Sequence, residues 1–408
     1  MRQPRVGNNG GALVRYRISL PGCGPQLKHI IRMRTNSAIQ RDLLGAAVLH
    51  VRSGRAVSRS SLATALGIAP STVGLYVDQL IGDGFVDESG LEQGPVGRPK
   101  RTLATLGAAG WFAGVEFNAE RVQAVRVDFS GKLVASQVKW LPDDGDARSV
   151  LQAIKATVAA LAKTAKGPLL AVGAGAPGIV DPATGVSASY AFIAGWDSVP
   201  LADTLRERFE VPVTVENNLR AIALAERWFG GGRDLGNYVI LGPRSGFGVA
   251  IVQDGRLIGG AHHAAGEIGR WPWPVGGHRE LQDALAAPAV WRRLAGASAR
   301  AKLPEDLREA LAEFAGASGP VWDELIADYA RVIGCLQLLV DTEVFFLHGP
   351  LTALGARFCT DLERAARASA PALGGATFKI LPSALGDDAG ALGAASLAME
   401  AWVPTASA

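Results

Sequence analysis

The run "WFAGVEFNAERVQAVRVDFSGKLVASQVKWL", Trp111–Leu141, sets the fold class of this chain. Its apolar and β-branched residues gather in three short segments, parted at Asn118-Ala119 and Ser130-Gly131. Short runs of that kind with turn formers between them predict three consecutive strands. Beyond them the periodicity changes and predicts a helix over 147–165. "LLAVGAGA", Leu169–Ala176, then reads as a buried strand closed by the Pro177-Gly178 turn. Another helix–strand unit spans Leu201–Val215, and "NYVILG" and "GVAIVQDGRLIGG" give further strands. Helical patterns run on to about Asp341, "EVFFLHG" is a late buried strand, and "DDAGALGAASLAMEAW", Asp387–Trp402, is a closing helix. Strands and helices that alternate in this way predict a two-lobed α/β body.

The 408 residues allow two or three domains, and 48% apolar residues supply a large core. Cys23, Cys335 and Cys359 are too far apart for a disulfide framework or a Cys-x-x-Cys knuckle, which fits a reducing cytoplasm. No uninterrupted apolar run reaches the length of a membrane span, so no membrane partner is expected. The net charge of +3 says little, but its distribution is uneven. Residues 1–34 carry seven Lys/Arg and no acid, and read as a basic disordered extension.

Upstream of the body, "NSAIQRDLLGAAVLHVRS", Asn36–Ser53, spaces Ile39, Leu43, Ala46 and Val48 as one helix face. "AVSRSSLATALGIAPSTVGLYVDQLIGDGFVDE", Ala56–Glu88, follows. Ser58 can cap a short helix bearing Leu62 and Leu66, which Gly67 ends. Pro70 suits the first turn of a second helix, with Val73, Val77, Leu80 and Ile81 inward. "FVDESG" reads as the first strand of a wing. This is the pattern of a winged helix-turn-helix over 35–92. Its candidate DNA contacts are Ser58, Arg59 and Ser60 at the first helix, and Ser71, Thr72, Tyr76 and Gln79 on the second. Leu75 stands where an arginine would have strengthened the case. The segment 93–109 reads as a basic linker whose Arg98, Lys100 and Arg101 track phosphates or a minor groove; a plain solvated linker is the alternative.

Five motifs in order make the chain resemble the ROK family of sugar-responsive repressors and sugar kinases. They are "GAGAPGIVD" (Gly173–Asp181), "GWDSVPL" (Gly195–Leu201), "VPVTVENNLRAIALAE" (Val211–Glu226), "GEIG" (Gly266–Gly269) and "DDAGALGAA" (Asp387–Ala395). The resemblance runs from about Asn36 to Trp402. It implies an actin-like (ribonuclease H-like) ATPase-type fold behind a winged helix-turn-helix. Lobe 1 would be 110–218, completed by a C-terminal helix 387–403, and lobe 2 would be 219–386.

Measured against that family, the nucleotide loops are altered. Kinases of the family open with Asp-x-Gly-Gly-Thr-Lys, and this chain has "EFNAER", Glu116–Arg121. Asn118 and Ala119 obstruct the close backbone approach that Gly-Gly allows, and Glu120 repels phosphate. "LGPRSGFG" carries Arg244 where the family has Gly, and "LHGPL", Leu347–Leu351, alters the adenosine-side glycines. The family's catalytic Asp is Asn218, in Glu216-Asn217-Asn218, and an amide is no general base. Asn217 and Asn218 either contact a ligand or merely cap the next helix. The family's zinc loop, a His and three Cys, is "GRWPWPVGGH", with Arg270 at the His and no cysteine. Trp271 and Trp273 would replace the metal by burying their rings, or the loop is an exposed aromatic surface. Glu267 and Glu280 keep the places of two sugar-contacting acids. Arg270 pairs with Glu267 or meets an acidic group on the ligand. Phe192 stands where the family has a sugar-contacting Asn.

These features together predict a transcriptional regulator, most simply a repressor, with no cofactor, metal or enzymatic activity. Its ligand site would comprise Asn217, Asn218, Glu267, Arg270 and Glu280. Its partners would be double-stranded operator DNA, a sugar-like effector and further copies in a homodimer or homotetramer. Two rivals stay open: a divergent sugar kinase with a DNA-binding head, and a ligand-independent DNA-binding scaffold.

Overall fold

A computed structural model describes residues 36–92, 100–142, 144–273, 279–369 and 377–404. The expected N-terminal extension, Arg98 and His278 lie outside them. The head contains α1 (Asn36–Arg52), α2 (Arg59–Leu66), α3 (Pro70–Gly82) and a wing of β1 (Val86–Glu92) paired antiparallel with β2 (Lys100–Thr105). Ser58 caps α2 through the Ser61 amide, and Gly67 ends it at φ 64°. Pro70 opens α3, and the two helices meet at 115°. This bent pair is apolar, but no single described helix is long and apolar enough to cross a membrane.

Three expectations for the head change. The buried stripe of α1 is Leu44, Ala47, Val48 and Val51, while Ile39, Leu43 and Ala46 are only half-buried. Ile81 points outward. Six residues expected as linker form the second wing strand, because Leu103 is buried and its amide donates to the Val57 carbonyl.

The body is a duplicated topology. One sheet orders β10-β6-β3-β4-β5 and the other β13-β12-β11-β16-β17. In the first sheet β3 (Trp111–Phe117), β4 (Arg121–Asp128) and β5 (Leu133–Trp140) form an antiparallel meander. To it β6 (Leu169–Ala176) and β10 (Val213–Asn217) add in parallel. In the second, β11 (Tyr238–Pro243), β12 (Phe247–Gln253) and β13 (Arg256–Leu257) repeat the meander. There β16 (Val344–Leu347) and β17 (Lys379–Pro382) are the parallel pair. Ahead of β6, α4 (Ala147–Ala162) packs on β3, β4 and β5, and between β6 and β10 come a small sheet of β7 (Ile179–Asp181), β8 (Val186–Ser189) and β9 (Asp197–Val199) and then α5 (Leu201–Phe209). The lobe built on the second sheet carries the β14–β15 hairpin (Pro272–Trp273 with Arg279–Glu280), α7 (Leu281–Leu285), α8 (Ala287–Leu294), α9 (Leu307–Ala312), α10 (Pro320–Val340) and α11 (Gly355–Ser369).

Two helices join everything, α6 (Asn218–Phe229) and α12 (Ala389–Ala401). They are small-residue helices because backbones meet there. A Cβ on Gly114 would lie 1.9 Å from the Ala391 carbonyl, and one on Gly173 1.7 Å from that of Ala394. Gly114 and Gly173 therefore seat α12 on the first sheet. At its far end α12 leads to Trp402, which shares one core with the head residues Leu44, Leu62, Val77 and Val86 and the body residues Phe112 and Phe129.

Arg52, the last residue of α1, is sunk into that shared core. Its guanidinium lies 4.3 Å from the Phe129 ring and 4.9 Å from Phe112. Nε donates to the Phe129 carbonyl at 2.8 Å and Nη1 to that of Met399 at 3.0 Å. A buried arginine that bonds two body carbonyls fixes the head on the body rather than leaving it on a tether.

Candidate functional sites: a DNA-reading face and a closed inter-lobe cleft

On the head, α3 turns Ser71 and Leu75 fully outward. Thr72, Tyr76 and Gln79 are half-buried. Tyr76 packs on the head core, and the Gln79 amide oxygen accepts from Gln40 at 3.3 Å. Of the α2 candidates, Ser60 is exposed. Ser58 is not available: it is 7% exposed and its hydroxyl serves the helix cap. Arg59 is spent as well. It bonds both Glu88 oxygens, at 2.7 and 2.8 Å, Asp78 at 2.7 Å and the Gly74 carbonyl at 3.3 Å. Those carboxylates hold its guanidinium above the ordinary value. Arg101 is exposed on the wing strand that Lys100 begins.

In the body, the three altered nucleotide loops meet at one side chain. Arg244, at the tip of the β11–β12 hairpin, donates to Glu116 Oε1 of β3 at 2.9 Å. Its stem lies over Gly349, where an added Cβ would stand 3.0 Å from Cγ. Glu116 is 2% exposed, packs on Gly390 of α12 and also accepts from the Asn218 amide at 3.3 Å. The charge of Glu116 holds the Arg244 guanidinium above its usual value. The Tyr190 hydroxyl bonds Ser245 beside this pair. His348 is buried next to Arg244, Arg308 and Arg121, and burial first, then those cations, pull its pKa down to about 3. A guanidinium therefore occupies the junction that the family leaves to phosphate, and these residues do not fit a nucleotide.

The five expected ligand residues divide. Asn217 is a cap: its Oδ1 accepts from Leu219 and Arg220 amides at 2.9 and 3.2 Å, and its Nδ2 donates to the Gly178 carbonyl. Glu280 is a cap too, in a reciprocal box with Asp283, and accepts from Gln282. Asn218 faces the cleft through Glu116. Glu267 follows Gly266, and an added Cβ on Gly248 would lie 3.2 Å from Leu219 Cδ2 and 3.7 Å from the Gly266 carbonyl. The "ENN" and "GEIG" motifs thus converge on either side of Gly248. Among the described residues Arg270 makes no ion pair with Glu267, and it is exposed. The expected pairing does not form, and the Arg270 side chain stays exposed to solvent.

Several residues not singled out complete this wall. Arg220 is buried against Glu216 at 2.7 Å, and its Nη1 donates to the His263 carbonyl at 3.1 Å. The ring of His263 lies 3.4 Å from Asp181. Glu216 at the end of β10 and Arg220 in the first turn of α6 stand four residues apart, and that spacing of opposite charges was the signal for the pair. Phe192 is 67% exposed and its ring meets that of Tyr190 in a tilted contact at 5.3 Å.

The Trp-Pro loop has an interior role. Trp273 is buried in the core of lobe 2 with the Arg331 guanidinium 5.4 Å from its ring, and Trp271 packs on the same core. Where the family places a zinc, this chain offers an indole, Arg270 and no thiolate, so the donor set does not fit the metal.

The fold is an actin-like, kinase-type body that carries a winged helix-turn-helix head. The ROK family model matches residues 112–401, and the chain belongs to the ROK family. It is 27% identical over 223 residues to the xylose repressor of Caldicellulosiruptor bescii, covering 54% of this chain and 55% of that one. It is 26% identical over 310 residues to the glucokinase of Thermotoga maritima, covering 70% and 96%. The chain spans about half the length of the curated repressors it matches. Among solved structures, a ROK family transcriptional regulator, a homologue of the E. coli MLC protein, superposes with TM-score 0.74 at 20% identity over 89% of this chain and 96% of that one. A Streptomyces griseus ROK glucokinase in complex with glucose and AMPPNP gives TM-score 0.59 at 24% identity over 71% and 99%. The actin-like ATPase-type fold is therefore established on both sides of the family.

Proposed function

We propose that this protein is a transcriptional repressor that binds operator DNA through α2, α3 and the wing and senses a sugar or sugar derivative in its cleft without phosphorylating it. The observation that carries the reading is the Arg244–Glu116 pair, which closes the nucleotide loops against each other in a body rigidly joined to a winged helix-turn-helix. Asn218, bonded to that same carboxylate, lacks a base for proton abstraction. Similarity to repressors supports a sugar-like effector, and two heads in a homodimer or homotetramer would match a palindromic operator. Ligand acts here only through its different affinity for two lobe arrangements.

The test uses the full chain and duplexes selected from a random pool. Sugars are screened for release of the selected duplex, with Glu267→Gln as the control. Loss of the ligand response with ligand-free DNA affinity intact supports the cleft as sensor. Loss of DNA binding itself makes Glu267 structural, and an unaltered response places the ligand elsewhere. Replacing Lys100 and Arg101 by Gln is expected to flatten the salt dependence by about one unit of slope for each phosphate no longer neutralised; an unchanged slope removes the wing strand from the interface.

A further inference from the structure

The recognition helix has an outward face without a single cation. Between Arg59 and Gly82 the sequence holds one arginine and no lysine. That arginine, Arg59, is fixed by Glu88, Asp78 and the Gly74 carbonyl, and holds the wing and α3 together instead of facing a groove. The bidentate Arg–guanine contact, the commonest specific one in a major groove, is therefore not available from α2 or α3. The most exposed side chain on this face that is not polar is Leu75, at 70%. It lies one turn beyond Ser71 and one turn before Gln79, in the middle of the stripe that a helix-turn-helix presents to DNA.

An aliphatic side chain held so far into water contributes nothing to the head's own core, which Val73, Val77 and Leu80 of the same helix supply. It gains only when an apolar partner covers it. In the major groove the apolar group that projects from the base edges is the thymine C5-methyl. Leu75 is flanked by Ser71, Thr72 and Gln79, which supply neutral donors and acceptors, and by Asp78, whose charge Arg59 neutralises and which leaves no cation to meet a phosphate, so its surroundings fit a base edge rather than a phosphate row.

We propose that Leu75 is a specificity-determining residue that reads a thymine methyl group in each half-site, so that operator recognition by this head rests on an apolar contact instead of an arginine–guanine pair. The inference rests on the reading that the head binds DNA, and the experiment separates the two.

The full chain is used to enrich half-sites from a randomised duplex pool. Each thymidine of the selected duplex is then replaced singly by deoxyuridine, which removes only the methyl group, and affinity is measured by fluorescence anisotropy. At one thymidine per half-site the replacement is expected to weaken binding about fourfold, the worth of one buried methyl. Leu75→Ala is expected to bind the thymidine duplex as weakly as the parent binds a duplex with deoxyuridine at that position in both half-sites, and to be indifferent to the replacement. Its solvent position leaves the fold intact, checked by an unchanged melting temperature. Deoxyuridine without effect at every position in the parent, or an undiminished effect in Leu75→Ala, overturns the assignment while leaving DNA binding in place. Failure to enrich any duplex overturns the DNA-binding reading itself and the assignment with it.

Discussion

Arg52 gives the sharpest handle on how head and body are joined. Its guanidinium donates to the Phe129 and Met399 carbonyls and stacks among Phe112, Phe129 and Trp402. Burial works against the charge and pulls its pKa down to about 9. Two substitutions separate these opposing effects. Arg52→Met removes the charge and its desolvation cost and keeps most of the volume, but abandons the Phe129 and Met399 carbonyls. Replacing a buried ion by an apolar residue of similar volume is often close to neutral, so a loss of about 1–2 kcal/mol is expected. Arg52→Ala leaves the same carbonyls and also a cavity between three aromatic rings, so a loss of about 3–5 kcal/mol is expected. The assay is urea unfolding. All nine tryptophans follow residue 110 and seven of them lie outside the core shared with the head, so their fluorescence reports chiefly the body, while far-ultraviolet dichroism reports the head helices as well. The parent, with one core across the junction, is expected to give coincident transitions. In Arg52→Ala the dichroism should fall first. Coincident transitions in that variant with a loss under about 1 kcal/mol would refute the view that Arg52 couples the two parts.

His348 makes the protein acid-sensitive. Its folded pKa of about 3 lies below the unfolded value of 6.5, so its contribution is complete above pH 6.5 and drains away as pH falls toward 3. The loss at pH 5 is about 2 kcal/mol. Urea midpoints at pH 7.5 and pH 5 should differ by less in His348→Leu than in the parent. Asn217→Ala removes the cap of α6 and is expected to cost about 1–2 kcal/mol, read as a lower melting temperature. Arg244→Gly restores a family glycine but not the base at Asn218. Because a general base is worth about 10²–10⁴-fold, coupled ATP assays over a sugar panel should stay at background; measurable turnover would show that Arg244 alone silences the site.

Local chemistry made much of this fold readable. Pro70 and Gly67 mark helix ends because each satisfies a backbone condition few other residues meet. The three-strand meander follows from short apolar and β-branched runs and from Asn118 and Asp128, whose carboxamide and carboxylate accept the amides of their own turns. The wing's second strand was harder to see. Lys100–Thr105 is polar at most positions, and among its described side chains only Leu103 is buried, so its sequence looks like linker until the Val57 carbonyl supplies its partner.

The cleft shows why departures from a pattern carry more than one meaning. Read singly, Glu116, Arg244 and Asn218 are three losses. In the structure they are one construction: Glu116 and Arg244, 128 residues apart, neutralise each other, and Asn218 bonds the carboxylate they share. Such compensation cannot be read from any one loop, because its cause is a contact between loops. The same carboxylate packs on Gly390 of α12, and α12 ends beside Trp402 and the carbonyl that holds Arg52. A ligand that drew Arg244 or Asn218 away from Glu116 would act at the cleft end of the helix whose other end holds the head. An Arg244→Gly variant tested for DNA affinity, not only for turnover, therefore reports on that connection: altered affinity without ligand means that the pair sets the head's position through α12.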